Sequence, residues 1–228
     1  HIGNEPDLST GSISPPIHLT STYVQEAIGK NKGYDYSRGN NPTRQRLEQN
    51  IASLECGYDA IAFSSGMAAT TALFQGLNQG DHVIISRNVY GGTYRMTTQV
   101  LSNHGLQFDF VDTTDIQNIE KAIKKNTKWI FIETPTNPML EITDIAAVSE
   151  LCKKHNLLFG VDNTFMSPYG QRPIEWGADC VMHSSTKFIG GHSDVLGGIL
   201  VVKNKELSEK LHFIQKTGGA IPSPFDSW

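Results

Sequence analysis

From Ala60 onward, short apolar runs alternate with longer amphipathic stretches. AIAFSS (60–65), HVIIS (82–86), QFDFVD (107–112), KWIFIE (128–133), LLFGVD (157–162), CVMHSS (180–185) and GILVVK (198–203) have strand length and strand-like apolar content. Between them, 66–78, 92–104, 115–126 and 144–155 carry helical spacing; in the third, Ile116, Ile119 and Ile123 fall on one helix face. The strand candidates are nearly continuous apolar runs rather than strict alternations, which is the pattern of strands covered on both faces. The alternation therefore predicts an α/β fold with a mostly parallel, buried sheet.

Residues 1–42 break the pattern. They are rich in Ser, Thr, Pro and Gly and have little periodicity, so they read as an extended arm that cannot bury its own surface and is expected to lie across a neighbouring subunit. Residues 43–228 are expected to form the large domain.

Composition narrows the functional classes. With 228 residues, 38% hydrophobic and 18% charged, the chain is that of an ordinary globular protein. Nineteen basic against 23 acidic residues give a net charge of −4, and no basic cluster stands out, which argues against nucleic-acid or anionic-membrane partners. Cys56, Cys152 and Cys180 are odd in number and lack metal-ligand spacing, so they read as reduced thiols of a cytoplasmic protein. The opening residues lack the pattern of a signal peptide, and the longest apolar runs are too short to span a bilayer.

In open α/β sheets a ligand sits beyond the carboxyl ends of the strands. Those ends carry Ser65-Gly66-Met67, Asn88-Val89-Tyr90, Glu133 with Asn137, Asp162-Asn163 and Ser184-Ser185-Thr186-Lys187. SSGMAAT (64–70) places a glycine between strand and helix, where free N–H groups and the positive helix end can hold a phosphate, and Ser184 and Thr186 add hydroxyls from a second strand end. Asp162 follows an apolar run, so its carboxylate is expected to be desolvated and to need an N–H or cationic partner, such as a protonated pyridine nitrogen or a helix N-terminus. Lys187 lies between a buried strand and FIGG, beside His183 and His192. Partial burial and neighbouring cations are expected to lower its pKa and free the amine for a Schiff base. A phosphate cradle, a buried carboxylate and such a lysine together point to pyridoxal phosphate.

With these residues in view, the chain resembles the Cys/Met-metabolism family of pyridoxal-phosphate enzymes, within the aspartate-aminotransferase-like fold (fold type I). The matching segments are YDYSRGNNPTR (34–44), SSGMAAT (64–70), VYGGTYR (89–95), ETPTNP (133–138), VDNTF (161–165) and SSTKFIGGHSDVLGG (184–198). The resemblance implies that Lys187 bonds the cofactor and shuttles protons, that Asp162 keeps the ring nitrogen protonated, and that Tyr90 stacks on the ring and acts as acid or base. It implies that Gly66, Met67, Ser184 and Thr186 hold the phosphate and that Asn137 lies near the ring hydroxyl. Tyr36 and Arg38 match a pair that reaches the cofactor of the neighbouring subunit. Arg95, and Asp35 beside Tyr36, would face the distal end of the substrate; Arg95 suits a second carboxylate.

Within the family the likeness is nearest to the cystathionine γ-lyases, with cystathionine γ-synthases and methionine γ-lyases behind. Gly92 stands where methionine γ-lyases often have Cys. The resemblance further implies a homotetramer built from catalytic dimers. It also implies a smaller C-terminal domain, beyond Trp228, that supplies the arginine for the substrate's α-carboxylate. A non-catalytic scaffold or incomplete fragment would bind cofactor without turnover.

Rival readings of the same residues fare worse. Ser184 to Lys187 matches S-x-x-K and Lys216-Thr217-Gly218 matches K-T-G, but the two lie too close together for a penicillin-binding hydrolase. His183 and His192 lack zinc-ligand spacing and are expected to line the cofactor pocket or to hydrogen-bond within their loop.

Overall fold

The computed structural model describes all 228 residues. Seven strands form one sheet: β1 (Asp59–Phe63), β2 (His82–Ser86), β3 (Gln107–Val111), β4 (Thr127–Glu133), β5 (Leu158–Asp162), β6 (Cys180–His183) and β7 (Gly198–Val202). Their order is β1-β7-β6-β5-β4-β2-β3. Pairs β2–β3, β2–β4, β4–β5 and β5–β6 are parallel, while β7 runs antiparallel to both β1 and β6. The predicted strands are all present and the sheet is mostly parallel; the reversal of β7 is additional.

The helices are α1 (Pro42–Leu54), α2 (Gly66–Gln75), α3 (Gly91–Gln99), α4 (Ile116–Ala122), α5 (Ile145–His155), α6 (Ser167–Gly170), α7 (Lys205–Gly218) and α8 (Pro224–Ser227). Several begin where a short polar side chain satisfies free N–H groups. Asn41 accepts from Thr43 and Arg44, with Pro42 at the first helical position; Ser65 caps α2, Asp144 caps α5 and Asn204 caps α7. The predicted helix over 92–104 is shorter in the structure: α3 stops at Gln99 and a 3₁₀ turn, Leu101–His104, completes the segment.

Helices cover both faces, as the continuous apolar strands require. On one side Phe63, Phe131, Met182 and Leu200 pack with Leu73 and Phe74 of α2 and Leu211 of α7. On the other, Ile130, Phe159, Val161 and Val181 pack with Ile51 of α1 and Val148 of α5. Each such side chain contributes about 1.5–3 kcal/mol relative to exposure, so the sheet is fixed from both sides.

The segment before α1 forms no helix or strand, only isolated bridges between Thr22 and Tyr36 and between Ala27 and Lys30. It is tied to α1 where Asn50 and Arg46 donate to the carbonyls of Ile2 and Gly3, and it leaves Leu8, Leu19, Val24 and Ile28 exposed. No helix is long and apolar enough to cross a membrane.

Candidate active site

The carboxyl ends of β1, β4, β5 and β6 and the start of α3 surround a cavity of about 880 Å³. Its walls include Gly66, Met67, Tyr90, Glu133, Asn137, Asp162, Thr164, Ser184, Thr186 and Lys187. The parallel strands explain the convergence, since they bring residues far apart in sequence to one edge of the sheet.

One end of the cavity is a cradle. Ser65 Oγ accepts from the N–H of Ala68, leaving the N–H groups of Gly66 and Met67 at the head of α2 without helical acceptors. Gly66 lies so close to β6 that a Cβ there would stand 2.8 Å from Ser184 Cβ. The helix end and the strand end thus meet at backbone distance, a concave arrangement suited to an anion. The Thr186 hydroxyl exchanges hydrogen bonds with the backbone of Gly197, which fixes the glycine-rich return.

The floor is acidic. Asp162 is 5% exposed, and its Oδ1 accepts from the N–H (3.0 Å) and hydroxyl (2.6 Å) of Thr164. Burial raises its pKa, against the lowering effect of the Thr164 hydrogen bonds and of nearby His183. Its other oxygen has no protein donor, which leaves it available to a protonated ring nitrogen. Glu133, also 5% exposed, accepts the N–H of Tyr90 at 2.6 Å and of Asn137 at 2.8 Å. Burial first, and then the Asp162 carboxylate, push its pKa up to about 8.

Of the residues singled out in the sequence, Gly66, Met67, Tyr90, Asn137, Asp162, Ser184, Thr186 and Lys187 line this one cavity. Tyr36 and Arg38 do not; they sit together in a separate depression, the guanidinium 5.2 Å from the Tyr36 ring. Asp35 borders another polar cavity, beside Lys216 and His212, and Arg95 is on the exposed face of α3.

Two expectations about Lys187 need correction. The residue is exposed, because the loop carrying it stands at the rim where no element of this chain packs over it. His183 supplies no cation beside it: strand alternation turns that ring to the opposite face, where its Nε2 meets Glu55 at 2.6 Å. His192 hydrogen-bonds within its loop, to the Gly190 carbonyl. No trio of His, Cys, Asp or Glu is placed to hold a metal. Lys216 of the K-T-G match lies in the polar cavity with Asp35, away from Ser184.

The sequence reading did not single out Thr164, whose hydroxyl donates to Asp162 and accepts from the N–H of Ser184 at 2.8 Å. The D-x-T spacing in VDNTF was the available signal. In the sequence, Glu133 stands out only as a strand end.

This fold and site define a pyridoxal-phosphate enzyme of fold type I. The donor set fits the group: free N–H groups and hydroxyls at the cradle, a buried carboxylate with one oxygen free, an aromatic wall and a lysine at the rim. The chain belongs to the Cys/Met metabolism PLP-dependent enzyme family, whose model matches residues 1–228.

The cystathionine gamma-lyase of Bacillus subtilis is 52% identical over 228 residues, 100% of this chain and 60% of that protein. The cystathionine beta-lyase of Lactococcus lactis is 46% identical over 228 residues, again 100% and 60%. A crystal structure of cystathionine gamma-lyase from Lactobacillus plantarum, complexed with L-serine, superposes with a TM-score of 0.98 at 48% identity, covering 100% of this chain and 60% of that one. This chain therefore spans about 60% of the length of these proteins.

Proposed function

We propose that this chain carries the cofactor site of a γ-eliminating enzyme that converts cystathionine and water to cysteine, 2-oxobutyrate and ammonia. The observation behind this reading is the convergence of Lys187, Asp162, Tyr90 and the Gly66–Ser184 cradle on one cavity. Pyridoxal phosphate, when bound, supplies a sink for the electron pair left at the substrate's α-carbon.

The chain's residues do the rest. The Gly66 and Met67 N–H groups, Ser184 and Thr186 would hold the phosphate, and Asp162 would hold a proton at the ring nitrogen. Tyr90 would pack against the ring, and Asn137 would lie near its hydroxyl. Lys187 would hold the cofactor and would move the α-proton; its place at the rim gives the amine room to swing. Lys187 or Tyr90 then protonates the departing γ-thiolate.

Arg95 is proposed to meet the substrate's distal carboxylate; Asp35, outside this chain's own cofactor cavity and next to Tyr36, is proposed to approach the distal amino group of substrate in a neighbouring subunit. Gly92, where methionine γ-lyases often have Cys, counts against that reading; a Cβ there would stand 2.5 Å from Tyr90 Cε1 and 2.7 Å from Met67 Sδ.

Tyr36 and Arg38 are proposed to reach a neighbouring subunit's cofactor through the 1–42 arm, in a tetramer of catalytic dimers, with 43–228 as the cofactor-binding domain. The free thiols suit the cytoplasm.

Relatives at about 50% identity carry the names cystathionine gamma-synthase, gamma-lyase and beta-lyase, so products decide among the reactions. The test adds cystathionine to the purified protein and follows the visible cofactor band and the products together. A band with 2-oxobutyrate and cysteine supports γ-elimination; pyruvate and homocysteine would mean β-elimination. Turnover only with an activated homoserine plus cysteine would mean the synthase. Absence of any band would overturn the reading of Lys187.

A further inference from the structure

Below the cavity floor, on the opposite face of the sheet, lies a polar cluster that the chemistry above does not use. Glu55 follows the last residue of α1, and its carboxylate is fully buried. One oxygen, Oε1, accepts from Asn163 Nδ2 at 2.8 Å and from His183 Nε2 at 2.6 Å, residues 108 and 128 positions further along the chain. Asn163 immediately follows Asp162, and His183 immediately precedes Ser184. A single oxygen atom therefore ties the segment that would meet the cofactor's ring nitrogen to the segment that would meet its phosphate.

On the cavity side, the Thr164 hydroxyl bridges the same two segments, donating to Asp162 and accepting from the Ser184 N–H. The ends of β5 and β6 are thus pinned from both faces. Gln171 braces the lower pin, exchanging hydrogen bonds with the Asn163 side chain through its carbonyl and its Nε2.

Stability of α1 does not account for Glu55. A carboxylate at a helix C-terminus opposes the helix dipole, and burying one costs several kcal/mol unless it is fully satisfied. Its Oε2 has no partner, and neither does His183 Nδ1. Such a costly group fits a task of holding its neighbours in place.

We propose that Glu55 is a positioning residue that sets the spacing between the ring-nitrogen carboxylate and the phosphate cradle. The inference rests on the cofactor site described under the proposed function. Glu55 touches no part of the cavity and acts only through Asn163 and His183. Glutamine can replace it, since an amide carbonyl can accept both hydrogen bonds; alanine cannot.

The test titrates pyridoxal phosphate into cofactor-free wild-type protein and into Glu55→Gln, Glu55→Ala and Asn163→Ala. It reads the dissociation constant and the position of the visible band, with circular dichroism to certify folding. A displacement near 1 Å at a positioned site costs as much as about 100-fold, so Glu55→Ala should bind about 10- to 100-fold more weakly, with a shifted band. Asn163→Ala keeps the Glu55–His183 pair and should lose about 3- to 10-fold, while Glu55→Gln should stay within about twofold of wild type.

If wild type binds no cofactor, the functional reading and this inference fall together. If wild type binds and the folded alanine variants match it, the positioning role falls and the functional reading stands. Should Glu55→Ala fail to fold, Asn163→Ala decides. Glu55→Gln as weak as Glu55→Ala would overturn the acceptor role.

Discussion

Glu133 and Asp162 are register partners at the carboxyl ends of β4 and β5, two buried carboxyl groups side by side on one face of the sheet. Each is shielded from water, and they repel one another when both are charged, so the folded chain retains a proton that the unfolded chain releases.

Glu133's folded pKa, about 8, lies above its ordinary 4.5, so its stabilising contribution is complete below 4.5 and is lost as pH rises towards 8. The cofactor-free protein should lose stability on the order of a few kcal/mol across that window. Glu133→Gln should flatten the dependence. Chemical denaturation at a series of pH values checks this, and an equally steep profile in Glu133→Gln would sink it.

Replacing Lys187 with alanine should abolish the visible band of the lysine-held cofactor. Turnover should fall by at least about 10²–10⁴-fold, the range for losing a positioned acid–base group. Because the side chain is exposed, the melting temperature of the cofactor-free protein should hardly change. A variant that keeps the wild-type band would remove Lys187 from the site.

Asp162→Asn separates fold from chemistry. The amide can still accept from Thr164, and it removes a carboxyl whose burial is costly, so the cofactor-free variant should be at least as stable as wild type. Turnover should drop by about 10²–10³-fold, as when a preorganised electrostatic partner is lost. Steady-state kinetics and thermal melting on the same sample check both halves, and normal turnover would refute the ring-nitrogen role.

At Gly66 the prediction is steric. An alanine methyl 2.8 Å from Ser184 Cβ must push α2 away from β6, opening the cradle. Cofactor affinity should weaken by about 10-fold or more, with rapid loss of cofactor on dialysis. Retention of wild-type affinity would show that the cradle tolerates a methyl group.

The seven strands were legible because burial on both sheet faces left uninterrupted apolar runs, and the cavity residues were legible because they cluster at the ends of those runs. Helix α1 was hidden for the opposite reason: its buried face includes Arg44 and Glu48, a pair with nitrogen and oxygen 3.5 Å apart, and so lacks a simple apolar stripe. Helix α7 did carry a readable stripe, Leu207, Leu211 and Ile214, but it lay beyond the last strand. The Glu55 contacts span more than a hundred residues, and no local pattern marks them. The exposure of Lys187 is not legible in the sequence, because a loop between apolar segments says nothing about what covers it.

The antiparallel insertion of β7 has a consequence for the order of assembly. Strand β1, which leads into Ser65 and Gly66, has no strand neighbour except β7, and β7 in turn pairs with β6. At Gly198 a Cβ would collide with the Ser65 carbonyl, so the two strands close directly beneath the cradle. Half of the cradle is made early in synthesis, yet it is joined to the sheet only when residues 198–202 have emerged and slotted in between. Contacts this distant in sequence form after local ones, so a nascent chain halted before β7 would carry Lys187 without a completed cradle beside it.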